Sequence, residues 1–102
     1  MEQARYQEIA NQIAYAIVIG EYNEGDKIHG RSTLAGRFNV SPETIRRAIA
    51  ILQSEGVVRV RQGIGITVSS KSQAEKFLRS YDQKGEVQTL VEELRSLMEK
   101  RR

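Results

Sequence analysis

The chain has no cysteine among its 102 residues. This excludes a disulfide framework, a thiolate metal site and a cysteine nucleophile, so the fold has to hold by packing, and a reducing, cytoplasmic setting fits. Histidine is almost as scarce, with His29 the single copy. A site that needs two imidazoles is excluded, and a serine triad would have one possible base, so an enzyme is not expected. His29 stands beside Gly30 with no second strong ligand spaced to help it, and reads as a loop or cap residue. No run of about eighteen apolar residues exists to cross a membrane. The opening MEQARYQEIA has acidic residues where a secretion signal needs a basic stretch and then an apolar one. The expectation is a protein neither inserted nor exported.

Sixteen Lys and Arg against thirteen Asp and Glu leave a net charge of +3, and its distribution matters more than its sum. Residues 1–30 carry two basic and five acidic side chains, residues 31–71 seven and two, and residues 72–102 seven and six. The excess sits in the middle third, the electrostatic footprint expected for an anionic partner.

Apolar residues at Tyr6, Ile9, Ala10, Ile13, Ile17 and Val18 fall at three-and-four spacing, which predicts a helix from Glu2 to Ile19 stopped by Gly20. The polar stretch EYNEGDKIHG reads as a turn and then a very short extended piece at Lys27 and Ile28. Residues 31–38 predict a second helix with Leu34, Ala35 and Phe38 toward one core, and Asn39 suits the left-handed position that ends it. Ser41 as N-cap, Pro42 at the first helical position and Glu43 in the first turn open a third helix. Its inward stripe is Ile45, Ala48, Ile49 and Leu52, and Gly56 closes it.

So short a connection between the second and third helices predicts a helix-turn-helix. After it, Val58 and Val60 alternate with Arg59 and Arg61, Gln62-Gly63-Ile64-Gly65 makes a tight turn, and Ile66-Thr67-Val68 returns as a strand. A helix-turn-helix with a basic two-stranded ribbon is a winged helix. The fold class is mainly α with a small β-wing: residues 1–70 form the winged helix and residues 71–102 a helical linker and dimerisation segment. That segment holds one apolar cluster of Phe77, Leu78 and Tyr81 and a second of Val87, Leu90, Val91, Leu94, Leu97 and Met98, with a break expected around Gly85. The second cluster is under two heptads, short for an unaided coiled coil but suited to meet its own copy beside a folded domain.

With the inward stripe of the third helix set, Glu43, Arg47 and Ala50 point outward, and Arg46 and Thr44 lie on opposite flanks. A helix laid in a major groove presents that set to base edges and phosphates. Arg46 and Arg47 can fork onto a guanine or two phosphate oxygens. Ser41 and Thr44 suit a phosphate at the helix start, and Glu43 can accept from a cytosine amine. The alternative for Glu43 is a plain pair with Arg47 at i, i+4 on a solvated face. Gly63 and Gly65 do not make a dinucleotide loop, because no helix opens after them. They read as turn glycines at a wing tip whose backbone approaches a minor groove.

Tyr6-Gln7-Glu8-Ile9-Ala10, Gly20 through Ile28, Leu34 through Ser41, Thr44-Ile45-Arg46 through Gly56, and Arg61 through Val68 together resemble the DNA-binding domain of the GntR family of bacterial transcription regulators. The resemblance covers about two thirds of the chain. It implies DNA contacts from Tyr6, Arg31, Ser32, Ser41, Glu43, Thr44, Arg46, Arg47, Arg61, Gln62 and Gly63. Where the family usually has proline, a small residue, glutamate and arginine, this chain has His29, Gly30, Arg31 and Ser32, so Arg31 substitutes for the displaced phosphate-touching arginine. Pro42 stands where many members have arginine, which shifts base reading toward Glu43, Arg46 and Arg47. The segments GRSTLAGRFNVSPETIRRAIAIL and EKFLRSY are similar to a branch in which a coiled coil and a C-terminal TrkA-C (RCK-C) domain follow. Members of that branch resemble repressors of potassium or osmolyte transport that sense cyclic di-AMP. The chain then reads as the N-terminal fragment of such a regulator, without a cofactor of its own; the rival architecture is a complete small regulator with a short dimerisation tail.

The expected function is sequence-specific binding of double-stranded DNA by a homodimer on an inverted repeat, as a bacterial transcription regulator and repressor. The alternative is a winged helix that docks an acidic protein on the same basic face.

Overall fold

The computed structural model describes residues 4–80. Helix α1 spans Arg5–Val18, β1 Lys27–Ile28, α2 Arg31–Phe38, α3 Pro42–Ser54, β2 Val58–Arg61, β3 Gly65–Val68 and α4 Lys71–Ser80. Local chemistry accounts for the turn between α2 and α3. Asn39 adopts the left-handed conformation at φ 56°, which lets the Val40 amide reach back to the Ala35 carbonyl at 3.0 Å. Ser41 then caps α3 by accepting from the Thr44 amide at 3.3 Å, with Pro42 supplying the fixed φ of a first turn.

The core is one cluster. From α1 come Ile9, Ala10, Ile13, Ala14, Ile17 and Val18; from α2 Leu34 and Ala35; and from α3 the predicted stripe Ile45, Ala48, Ile49 and Leu52. The sheet adds Ile28, Val58, Ile66 and Val68. Phe38, expected to face inward with Leu34, is only half-buried and packs on the margin of this cluster.

The expected β2–β3 ribbon is present and gains a third strand: the order is β1-β3-β2, all antiparallel, with Lys27 opposite Thr67 and Ile28 opposite Ile66. Burial of Ile28 and mutual bonds around it, Gly25 amide to Val68 carbonyl and Val68 amide to Asp26 carbonyl, both 2.9 Å, hold β1 on the edge. The segment beginning at residue 71 packs on the helices before it. Ala74, Phe77 and Leu78 of α4 are buried in the same core as α1, so the first helix after residue 70 is packed on the winged helix. Phe77 and Leu78, assigned to dimerisation, pack inside their own chain, and apolar area covered by α1 is no longer open to a partner. The start of α4 is pinned by the Lys71 amide on Glu24 Oε2 at 2.9 Å, the Gln73 amide on Ser70 Oγ at 3.1 Å and the Gln73 side-chain amide on the Glu55 carbonyl at 3.1 Å. Tyr81, Gly85, Val87, Leu90, Val91, Leu94, Leu97 and Met98 lie outside the described residues.

Candidate nucleic-acid interface

With its apolar stripe buried, α3 turns Glu43, Arg46, Arg47 and Ala50 to solvent. The acid and the two arginines are not independent. Arg46 donates from Nε to Glu43 Oε1 at 2.9 Å and from Nη2 to Oε2, a two-pronged pairing of fork and carboxylate. Arg47 approaches the same Oε2 at 3.5 Å through its Nε. The principal partner of Glu43 is therefore Arg46 at i, i+3, with Arg47 at i, i+4 second, because Arg46 alone satisfies both carboxylate oxygens. Its hydrogen bond is the main cause holding the Glu43 carboxyl down at about 2 from an ordinary 4.5, with the charges of both arginines adding to it. The same bond raises Arg46 further above its already high range.

Arg47 has a second neighbour. Its guanidinium carbon lies 5.9 Å from the centre of the Tyr6 ring, a cation–π contact that bridges α1 to α3. Tyr6 itself is half-buried against the core. Arg5 adds a tie at the same end of α1, donating from Nη2 to the Phe38 carbonyl at 3.0 Å. The first turns of α1 thus hold both the helix-turn-helix corner and one of its outward arginines.

The structure brings Tyr6, Glu43, Arg46 and Arg47 into one cluster and pairs Ser41 Oγ with Thr44 Oγ1 at 3.1 Å. Arg31 and Ser32 stand exposed in the first turn of α2, and Arg61, Gln62 and Gly63 are exposed on the wing. Neither group shares an ion pair with the α3 cluster among the described residues. The sequence reading missed two participants. Arg5 has no positional signal, since its acceptor is 33 residues away. Ile64, half exposed at the wing tip, is the large apolar side chain left in solvent among the described residues; its place inside the turn tetrapeptide was the available signal.

Residues 5–68 match the family model described as bacterial regulatory proteins, gntR family. The chain belongs to the GntR family. Among relatives, the Exu regulon transcriptional regulator of Escherichia coli K12 is 42% identical over 65 residues, covering 64% of this chain and 25% of that protein. Among solved structures, Streptococcus agalactiae BusR in complex with its busAB-promotor DNA matches at a TM-score of 0.75 with 35% identity, over 96% of this chain and 48% of the other. A GntR family transcriptional regulator from Listeria monocytogenes matches at 0.71 with 29% identity, over 97% of this chain and 83% of that one. The chain spans under a third of the length of the first curated relatives it matches. In GntR terms, α2 and α3 are the helix-turn-helix and β2–β3 the wing.

Proposed function

We propose that this chain is the DNA-binding segment of a transcription regulator, not an enzyme, and that it reads double-stranded DNA with α3 in a major groove and the wing tip at the adjacent minor groove. The observation that carries this reading is the pair Arg46 and Arg47, both exposed on the outward face of α3 and both held in place by Glu43, with Tyr6 behind Arg47. The Arg46 fork is held by Glu43 in the free chain, and exchange of that carboxylate for a guanine, which offers the acceptor pair the fork fits, couples binding to the correct base. Ser41 and Thr44 at the start of α3 suit a phosphate. Arg31 and Ser32 are the backbone contacts from α2, while Arg61, Gln62, Gly63 and Ile64 serve the wing, with Ile64 as an apolar wedge at a base step. The DNA complex of the structurally similar BusR supports this partner class.

The reading extends to a cytoplasmic homodimer on an inverted repeat, acting as a repressor. Pairing falls to Tyr81 and the cluster from Val87 to Met98, since Phe77 and Leu78 are committed to the intrachain core. An effector domain outside this chain, sensing cyclic di-AMP as the family branch implies, completes the regulator.

Selection of bound sites from random duplexes, with mass measurement of the complex, tests this. The expected product is an inverted repeat carrying two chains. Arg46→Ala should weaken the selected site about five- to hundredfold and change base preference at one position of each half-site. Equal loss on selected and random duplexes removes the base-reading role, and binding without salt dependence removes the DNA reading in favour of an acidic protein partner.

A further inference from the structure

The solvent face of the sheet carries charge that the α3 reading does not use. Opposite residues of an antiparallel pair share a face, and faces alternate along each strand. The row Ile28, Ile66, Val60 faces the core, so the row Lys27, Thr67, Arg59 and the pair Gly65, Arg61 face outward. Small residues therefore occupy the central strand, with Lys27 on one side and Arg59 and Arg61 on the other. Arg59, Arg61, Thr67 and Gly25 line part of a cleft of about 350 Å³ on this surface. Lys27 leans across the strand: a Cβ on Gly65 would stand 3.1 Å from its Cε and 3.9 Å from its Nζ. Gly65, at φ 111°, thus leaves room for the lysine stem to cross toward the Arg61 side.

None of these cations is in an ion pair among the described residues. The acids nearest in sequence are engaged elsewhere, since Asp26 accepts from the Asn23 amide at 2.8 Å and Glu24 from the Lys71 amide. Like charges gathered on one small sheet face oppose folding slightly, which points to an anionic ligand as their use. Arg59 and Arg61, two residues apart on one strand, are about 7 Å apart in rise, comparable with the distance between successive phosphates of a nucleic-acid strand. Arg61, the last residue of β2, also borders the wing turn, its carbonyl accepting from the Ile64 amide at 3.1 Å.

We propose that this trough is a second phosphodiester-binding surface, in which Lys27 and Arg59, with Arg61, hold the backbone of duplex flanking the half-site read by α3. The assignment rests on the DNA-binding reading above and adds residues and DNA length to it. The trough carries no base information, so flank length matters and flank sequence does not.

The test uses the full chain and two duplexes, one trimmed to the selected site and one extended by a helical turn on each side, titrated by fluorescence anisotropy over a range of salt. The wild type should bind the long duplex more tightly and with a steeper salt slope. In Lys27→Gln/Arg59→Gln that advantage should vanish, with the slope on the long duplex falling by about two, roughly one for each phosphate no longer neutralised. Both side chains are exposed, and thermal melts should show the variant folded. If the variant keeps the long-duplex advantage, or binds both lengths more weakly by the same factor, the trough is not a flank contact; retention of the advantage is also what an acidic protein ligand for this face would give. A wild type that binds both duplexes with Arg46-dependent preference but no length effect overturns the trough alone. A wild type that binds neither duplex overturns the functional reading and the trough with it.

Discussion

Removing the Phe77 ring distinguishes an intrachain role for α4 from a role between chains. Phe77 is 2% exposed and sits between Ala74 and Leu78 on the face of α4 that packs on α1. Phe77→Ala deletes a ring from a closed core and leaves a cavity, at a cost of about 3 to 5 kcal/mol. A domain this small is stable by about 5 to 15 kcal/mol, so the loss is a large fraction of the whole. At roughly 4 to 8 °C per kcal/mol for a domain of this length, Tm should fall by at least about 12 °C. Urea and thermal unfolding followed by circular dichroism, repeated across a wide range of protein concentration, provide the measurement. The intrachain reading requires a deficit of the same size at every concentration. A loss under about 1 kcal/mol, or one seen only as weaker self-association with the monomer's own unfolding unchanged, would refute the placement of Phe77 in the winged-helix core.

Glu43→Gln releases Arg46 and Arg47 from their shared carboxylate and should raise affinity for random duplex about two- to fivefold, the scale of an exposed ion pair, while narrowing discrimination; unchanged random binding in a competition titration would show that the carboxylate does not compete with DNA. In Arg46→Ala the Glu43 carboxyl should titrate well above its value of about 2, toward 4.5, because its largest cause of depression is gone; carbon-13 NMR of the side-chain carboxyl reads this directly. Since the folded value is depressed, the pair's contribution to folding is complete above about 4.5 and is lost as pH falls through about 2, so Glu43→Gln should not alter how stability changes between pH 7 and 5. Gly56 sits at φ 77°, and a Cβ there would lie 3.3 Å from Gln73 Nε2; Gly56→Ala should cost about 1 to 2 kcal/mol in urea unfolding through the left-handed backbone. A neutral result would mean that the α3–β2 turn relaxes freely.

Local signals in the sequence determined most of the frame. Asn39, Ser41 and Pro42 act within one or two turns of themselves, so the α2–α3 corner was legible before any fold was known. The stripe Ile45, Ala48, Ile49, Leu52 named the inner face of α3 and, by subtraction, the outward arginines. Alternation at Val58 through Arg61 did the same for the wing. Periodicity identifies which face must be covered; it does not say what covers it. For that reason the sequence assigns Phe77 and Leu78 to a partner's contact, and only the docking of α4 on α1 shows them in their own core. A strand of two residues has no period at all, so the place of β1 beside β3, and with it the crossing of Lys27 over Gly65, came from long-range pairing alone. The sequence spacing pointed to Arg47 as the partner of Glu43 at i, i+4, whereas the structure places Tyr6 beside Arg47 and gives both carboxylate oxygens to the Arg46 fork at i, i+3.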